Sequence, residues 1–303
     1  MTVLIVDGGG SKTRAWLVNA ETRECLKETE VGPSNIATVG AEGLIHALRE
    51  LNKKLPSGPK ADTIVMGLAG VGRRPERQTA FLAVRGVFPN ADVHVITDGE
   101  LAYRGAFADG RNGILLIAGT GAIALYRTPI GHEFVRAGGW GPLLGDEGGG
   151  AWMGREALRH CLLEWERDEL NPLHAALLEQ LEIETATQIL TKVYHENFGP
   201  TEWAKLAPLV FRYAREDIGA LRILKNASIE LVALVEHLQE TLAPEAQVLP
   251  LSVIGGLWEH HYHLQPLMEE EIRMRNLPIV FTEPAGGCMK GGLVFLDERG
   301  KLK

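Results

Sequence analysis

Two glycine turns, each following a short apolar segment, constrain the fold of this chain more than any other feature. The first, Asp7-Gly8-Gly9-Gly10, follows Val3–Val6, and the second, Ala118-Gly119-Thr120-Gly121, follows Ile114–Ile117 at an offset of 111 residues. Another strand-like run follows each turn, so each turn is expected to join two strands of a hairpin. A hairpin that recurs once at the scale of a domain indicates an internal duplication.

The segments after the first hairpin predict an α/β domain. An extended segment at 24–31, a helix at 44–55, a strand at 63–68, a helix at 75–87 and a strand at 93–97 give the order β-β-β-α-β-α-β. After the second hairpin, helical apolar spacing dominates residues 151–242, followed by a strand at 251–254, a helix at 258–274, a strand at 279–282 and a glycine-rich helix at 286–296. We therefore expect two α/β domains, residues 1–110 and a helix-rich 111–303, joined at the turn-rich segment Asp109–Gly113.

Composition excludes several classes of protein. A net charge of -8 gives no general attraction to a nucleic-acid backbone, and no apolar run reaches the roughly 18 residues of a membrane span. Three widely spaced cysteines form neither a disulfide framework nor a CxxC pair, which is typical of a reducing cytoplasm. Glycine accounts for 35 of 303 residues, well above the average usage of about 7%, and its clustering indicates backbone that approaches a ligand closely.

The first turn continues as Ser11-Lys12-Thr13, which fits neither the P-loop pattern nor GxGxxG. Its amides could still form an anion nest, and Asp7 at the strand end could hold a divalent cation through water. The alternative is a structural hairpin with a solvated Asp7. A second turn of similar design, Gly119-Thr120-Gly121, favours a pair of loops that bind one polyphosphate.

Asp98 directly follows the buried strand at 93–97, at the carboxyl end where α/β folds bind ligands. A carboxylate in this position could accept the proton of a hydroxyl that attacks a γ-phosphate. The alternative is that Asp98 caps the helix that starts near Gly99. The two roles are compatible.

Three further segments are candidates for binding. Gly138–Gly150 is a glycine-rich segment with Trp140 and two acids, a combination that suits the binding of a sugar. The alternative is a flexible surface loop whose acids cap the next helix. Gly255-Gly256 joins a strand to a helix and could admit a nucleotide or serve packing. His260-His261-Tyr262-His263 lacks a further metal ligand at the expected spacing, so it is interpreted as a solvated helix face, and Lys290 is expected to be exposed.

Together these residues resemble the N-acetylglucosamine kinase branch of the BadF/BadG/BcrA/BcrD ATPase family, within the actin, hexokinase and heat-shock-chaperone superfamily. The most specific element is Gly138-Gly139-Trp140-Gly141 followed by Gly145-Asp146-Glu147-Gly148. The resemblance covers almost the whole chain. It implies two ribonuclease-H-like domains around a cleft, ATP and Mg²⁺ as cofactors, and transfer of a phosphate to O6 of N-acetylglucosamine or glucosamine.

The resemblance also implies roles for individual residues. Asp98 would be the catalytic base, and Asp7 would organise Mg²⁺ through water. The nucleotide would contact Gly9, Gly10, Ser11, Lys12, Thr13, Gly119, Thr120, Gly121, Gly255 and Gly256, and the sugar would contact Asn35, Asp98, Trp140, Gly141 and Asp146.

One departure from the family pattern concerns the residues after the second turn. Ala122 and Ile123 stand where the family often has Ser, sometimes followed by Asn. Because two polar groups near the sugar are lost, we expect relaxed selectivity among hexoses.

Two other functions are open at this point, although a base such as Asp98 favours turnover. One is a non-catalytic sugar sensor. The other is an ATPase activator of a 2-hydroxyacyl-CoA dehydratase, which would need clustered thiolates for an iron-sulfur centre. For the kinase we expect a small-molecule sugar as partner, no nucleic acid, no membrane, and a homodimer.

Overall fold

The computed structural model describes residues 1–56, 61–129, 132–168, 171–196, 198–242 and 248–300. The chain divides into two units, which are described separately. Unit 1 comprises residues 1–111 and 284–303, and unit 2 comprises residues 112–283. No helix in the described parts of the chain combines the length and apolar character that a membrane span needs.

Unit 1 contains a five-stranded mixed sheet in the order β3-β2-β1-β4-β5. Its strands are β1 (Thr2–Gly8), β2 (Thr13–Asn19), β3 (Cys25–Val31), β4 (Thr63–Leu68) and β5 (Asp92–Thr97). β1, β2 and β3 pair antiparallel, whereas β4 is parallel to β1 and β5 is parallel to β4. The parallel half therefore brings the carboxyl ends of β1, β4 and β5 to one edge of the sheet.

Helices cover both faces of this sheet. They are α1 (Ile36–Lys54), α2 (Arg74–Val87), α3 (Asp98–Ala106) and α11 (Cys288–Glu298). Since side chains alternate along a strand, Leu4 and Val6 of β1 join one core cluster with α1 and α2, and Val3 and Ile5 join another with α3 and α11. All four side chains are fully buried, and burying each such side chain stabilises the fold by about 1.5–3 kcal/mol.

Unit 2 repeats this topology. Its strands are β6 (Ile114–Ala118), β7 (Ala122–Arg127), β8 (Phe134–Gly138), β9 (Leu249–Ile254) and β10 (Ile279–Phe281), in the order β10-β9-β6-β7-β8. β6, β7 and β8 are antiparallel and β9 and β10 run parallel to β6. The duplication predicted from the two hairpins is confirmed, with the same strand order and the same directions in both sheets.

A helical segment lies between β8 and β9. It consists of α4 (Gly150–Glu166), α5 (Pro172–Leu181), α6 (Gln188–His195), α7 (Pro200–Ala204), α8 (Ala207–Tyr213) and α9 (Ile218–Leu242). A 3-10 helix (Gly256–His260) and α10 (His261–Met274) connect β9 to β10. These helices and one face of the sheet share a single core cluster that includes Leu116, Phe211 and Leu231.

Residues 284–303, which were expected in the second domain, belong to unit 1. α11 packs there against α3 with backbone contact. A Cβ at Gly291 would lie 2.1 Å from the Leu101 carbonyl oxygen, and one at Gly105 would lie 2.3 Å from that of Gly287. Glycine at these positions lets the two helices approach more closely than side chains would allow.

Candidate active site

The first turn places Asp7 near the carboxyl end of β1. Asp7 pairs with Arg14 of β2 on one side and with Gly67 of β4 on the other, and its side chain is partly buried. Burial raises the pKa of Asp7, while the Cys288 thiol, which donates a hydrogen bond to the carboxylate, and the charges of Arg14 and Lys12 act in the opposite direction. The carboxylate is therefore accessible but only partly hydrated.

Asp98 is the first residue of α3, directly after β5. The N-cap of α3 is Thr97, whose hydroxyl accepts a hydrogen bond from the Glu100 amide at 3.0 Å. The capping role considered for Asp98 thus belongs to its neighbour. The Asp98 carboxylate accepts a hydrogen bond from the Gly99 amide instead.

The electrostatic environment of Asp98 suits a general base. Burial, with smaller contributions from the negative charges of Asp7 and Glu100, raises the pKa of Asp98 to about 6, against the hydrogen bond from Gly99. A carboxylate with a pKa near the working pH combines the ionised form with a useful proton affinity.

The same pair of acids fits a magnesium ion. Mg²⁺ prefers carboxylate oxygens and retains several water ligands. Asp7 and Asp98 repel each other electrostatically, as the rise in the pKa of Asp98 shows, and a divalent cation would relieve that repulsion. Asp7 would hold the ion through water, and Asp98 would remain the proton acceptor.

The other residues of the first turn have different environments. Gly9, Gly10 and Ser11 form the exposed or partly exposed turn, which the Gly9 amide closes on the Lys12 carbonyl at 3.0 Å. Nζ of Lys12 lies 3.2 Å from Oε2 of Glu30 in β3. The backbone of this turn, rather than the lysine, is the feature available to an anion.

Thr13 is buried, and its hydroxyl is committed to the fold. Its Oγ1 lies 2.8 Å from the Gly32 carbonyl oxygen and 2.7 Å from Oγ of Ser34. The hydroxyl therefore connects the start of β2 to the segment after β3, and its expected contact with the nucleotide would need a rearrangement.

Asn35 is the N-cap of α1, and its Oδ1 accepts a hydrogen bond from the Ala37 amide at 3.0 Å. The backbone amide of Asn35 donates a hydrogen bond to the carbonyl oxygen of Gly9 at 3.1 Å, which joins Asn35 to the first turn. A Cβ at Gly70, where φ is +81°, would lie 2.4 Å from Oδ1. Capping uses the oxygen of the side chain, and the NH₂ group is the part that suits a sugar hydroxyl.

In unit 2 the second turn is anchored to the N-terminus of α4. The amide of Gly150 donates to Gly119 O at 2.8 Å, and the amide of Ala151 donates to Thr120 O at 2.9 Å. Thr120 itself is exposed. Two helical amides thus fix the backbone of this turn while the Thr120 hydroxyl faces solvent.

Asp146 ties the glycine-rich loop to the second turn. It has a left-handed backbone (φ 62°), and its Oδ1 accepts a hydrogen bond from the Gly141 amide at 3.3 Å. Burial raises the pKa of Asp146, against hydrogen bonds from the amides of Gly141 and Ala122. A Cβ at Gly121 would lie 2.3 Å from Oδ2 of Asp146, so Gly121 is required for this contact.

Trp140 lies on the same loop and is 66% exposed. The guanidinium carbon of Arg136 is 4.3 Å from the centroid of its ring system, a cation–π contact that holds the indole in place. Leu143 and Leu144 beside it are also largely exposed. The loop therefore presents an oriented aromatic ring, as the stacking of a sugar ring requires.

The turn after β9 lies against the start of the second turn. Gly255 has a φ of +109°, and a Cβ there would lie 2.3 Å from the Ala118 carbonyl oxygen. Gly255-Gly256 and Gly119–Gly121 are therefore adjacent within unit 2. The two turns must be adjacent if both are to contact one nucleotide, as expected from the sequence.

Two groups considered in the sequence are engaged in other contacts, and one relevant residue was missed. Nζ of Lys290 donates to Ala285 O at 3.1 Å, and His260 stacks on Phe211 with ring centroids 4.6 Å apart. Cys288, whose thiol contacts Asp7, carries no local sequence signal for that contact because the two residues are far apart in the chain.

The chain is similar to known proteins over most of its length. The family model of the BadF/BadG/BcrA/BcrD ATPase family matches residues 6–287. An N-acetylmuramic acid/N-acetylglucosamine kinase of Clostridium acetobutylicum is 30% identical over 262 residues, which cover 84% of this chain and 85% of that protein. An N-acetyl-D-glucosamine kinase of Dictyostelium discoideum is 28% identical over 295 residues, covering 90% of each protein.

A similar fold is found in a crystal structure from Chromobacterium violaceum. That protein is described as an N-acetylglucosamine kinase, is 28% identical, and has a TM-score of 0.74 over 97% of this chain and 98% of its own.

Proposed function

This chain belongs to the BadF/BadG/BcrA/BcrD ATPase family, and on that premise we propose that it is an ATP-dependent kinase of amino sugars. The acceptor is N-acetylglucosamine or glucosamine, phosphorylated at O6 in the cytoplasm. The names of the relatives that align over most of the chain support this substrate class. We also propose that the kinase is a homodimer.

The observation that carries the proposal is the state of Asp98. It stands at the carboxyl end of a parallel strand, its pKa is raised to about 6, and its helix is capped by Thr97 rather than by its own side chain. By contrast, a carboxylate held in an ion pair or by several amides is stabilised as the ion, and its pKa is lowered. Asp98 is instead kept as a weak base that is ionised at neutral pH.

Three residues of unit 1 have separate roles in the reaction. Asp98 accepts the proton of the sugar hydroxyl and directs its oxygen toward the γ-phosphate of ATP. Asp7 would hold Mg²⁺ through water, and the ion would neutralise charge on the phosphates when bound. Asn35 donates its side-chain NH₂ group to a sugar hydroxyl.

The residues of unit 2 contribute binding. The exposed Thr120 and the amides of Gly119–Gly121 face the phosphates, while Gly255-Gly256 contacts the adenosine side. Trp140 offers an aromatic face to the sugar. The Asp146 carboxylate accepts hydrogen bonds from two backbone amides, and these bonds let it orient the loop. Its remaining lone pairs accept a hydrogen bond from a sugar hydroxyl.

The test is an ADP-release assay with Mg-ATP and a panel of N-acetylglucosamine, glucosamine, N-acetylmuramic acid and glucose. We expect sugar-stimulated turnover, and NMR of the product should show the phosphate on O6. Asp98→Asn should lower kcat by about a hundredfold or more with little change in ATP affinity. The absence of turnover on every sugar, with binding detected by calorimetry, would instead identify a sensor.

A further inference from the structure

A cluster of three ionisable side chains is buried in the helical part of unit 2. His160 and Glu164 lie one turn apart on α4, and Asp217 directly precedes α9. Their exposed fractions are 9%, 8% and 4%. Charged groups are rarely buried to this extent unless they are paired or coordinate a metal.

The distances within the cluster are those of close polar contacts, but two of its atoms have unused hydrogen-bonding capacity. Nε2 of His160 is 2.8 Å from Oε1 of Glu164 and 3.7 Å from Oδ1 of Asp217. In the part of the chain that the structure describes, Nε2 of His160 and Oδ2 of Asp217 have no hydrogen-bond partner. Buried polar atoms without a hydrogen bond are costly, and a bound ion is one way to satisfy them.

The fold makes specific room for the imidazole. A Cβ at position 219 would lie 1.7 Å from Nε2 of His160, so the ring occupies the space of the missing Gly219 side chain. On the other side, Oδ1 of Asp217 accepts a hydrogen bond from the Ala220 amide at 2.9 Å. This bond fixes the carboxylate at the start of α9.

The donor set matches a divalent transition metal. An imidazole nitrogen and two carboxylate oxygens are ligands of Zn²⁺, Mn²⁺ and Co²⁺, at about 2.0–2.2 Å for Zn²⁺. In tetrahedral geometry such ligand atoms lie roughly 3.4 Å apart, and the three ligand atoms here are within 4.8 Å of one another. A proton on His160 supplies one positive charge for two carboxylates, whereas a divalent cation supplies two.

We propose that His160, Glu164 and Asp217 bind one divalent transition-metal ion, with Zn²⁺ as the best match. The ion would link α4 to the start of α9 inside unit 2. It is independent of the nucleotide's Mg²⁺, and the proposal does not rest on the kinase activity.

The experiment measures metal binding to the full chain after treatment with a chelator and dialysis. Co²⁺ is titrated while its visible ligand-field absorption is followed, and Zn²⁺ is then added to displace it. We expect one Co²⁺ per chain, displaced by one Zn²⁺, with metal content checked by mass spectrometry. A wild-type chain that retains no stoichiometric Co²⁺ or Zn²⁺ at micromolar metal would overturn the proposal and identify the cluster as a proton-mediated ion pair.

Variants locate the ion. Asp217→Asn keeps a good N-cap side chain but loses a charged ligand, and His160→Gln removes the nitrogen, so each should weaken Co²⁺ binding by at least about tenfold. His263→Gln is the matched control and should bind as the wild type does, because that residue lies in the histidine-rich segment of α10. Circular dichroism checks that each variant is folded. Unchanged binding in folded Asp217→Asn and His160→Gln would contradict the assignment.

Discussion

Replacing Asp98 by Asn is expected to stabilise unit 1 while it removes catalysis. The pKa of Asp98 is raised from 3.8 to about 6, mainly by burial. The difference is about 2 units, and each unit corresponds to about 1.4 kcal/mol. The ionised carboxylate therefore costs the folded state up to about 3 kcal/mol at pH 8. Because Asn accepts the Gly99 hydrogen bond less strongly than a carboxylate does, we expect a net gain of about 1–3 kcal/mol.

The gain should depend on pH in a defined direction. Below about pH 4, Asp98 is protonated in both the folded and the unfolded state, so its cost is absent. As the pH rises from about 4 to 6, the unfolded state loses the proton first, and the wild type loses stability relative to Asp98→Asn. Above about pH 6 the difference is constant. The kcat/KM of the wild type should fall below about pH 6, as the base becomes protonated.

The assay is urea unfolding at pH 8 and pH 4.5, without nucleotide and with a chelator present. Hydrogen exchange of the amides of β1, β4 and β5 reports on unit 1, and far-UV circular dichroism reports on the whole chain. Tryptophan fluorescence is less suitable, because Trp16 is in unit 1 and the other five tryptophans are in unit 2. Unfolding free energies at the two pH values then give the pH-dependent part of the gain.

Glu100→Gln is the matched control for this experiment. Glu100 lies in the same first turn of α3, and its Oε1 is 3.4 Å from Nη2 of Arg77. Its replacement removes an ion pair and a favourable charge at the helix N-terminus. It relieves only the smallest of the contributions that raise the pKa of Asp98, so no net gain is expected. If Asp98→Asn is less stable than the wild type at pH 8, or if its gain does not shrink on acidification, the argument from burial fails.

Three further predictions concern close backbone contacts and sugar choice. Gly121→Ala should lower kcat/KM at least about tenfold, because its Cβ would meet the Asp146 carboxylate, and steady-state kinetics measure this. Gly291→Ala should destabilise unit 1 by about 1–3 kcal/mol or more in urea unfolding, because its Cβ would overlap α3. Gly86 is the control for both substitutions, because it is exposed and an added Cβ would meet nothing within 4 Å. Gly86→Ala should keep the activity and raise the free energy of unfolding by about 0.5–1 kcal/mol. Wild-type activity in Gly121→Ala, or wild-type stability in Gly291→Ala, would contradict these contacts. Glucosamine or glucose should lie within about a hundredfold of N-acetylglucosamine in kcat/KM, and a preference beyond about a thousandfold would show that Ala122 and Ile123 do not set selectivity.

The features that could be predicted from the sequence are those encoded locally. A glycine turn between two apolar runs specifies a hairpin within a dozen residues, and two such hairpins specify the repeated sheet. The family resemblance, which is confirmed, rested on equally compact motifs. By contrast, β8 (Phe134–Gly138) was not identified, because a five-residue strand in a loop-rich region carries little periodicity.

The features that could not be predicted depend on contacts between distant parts of the chain. The start of α1 was placed at residue 44, but the helix begins at Ile36 after its cap Asn35, with a kink at Gly40. Nothing near Thr13 indicates that its hydroxyl meets Ser34. The cluster of His160 with Asp217 likewise joins residues 57 positions apart.

The return of the chain to unit 1 after residue 283 has a consequence for synthesis on the ribosome. Unit 2 is a continuous segment, so all of its residues have been made before α11 is translated. Unit 1 must wait for residues 284–303, because Leu293 and Leu296 of α11 complete the cover over Val3 and Ile5 that Leu101 of α3 begins. A nascent chain thus completes its second unit before its first, and a chain truncated before Leu293 would leave the strand that carries Asp7 only partly covered on that face.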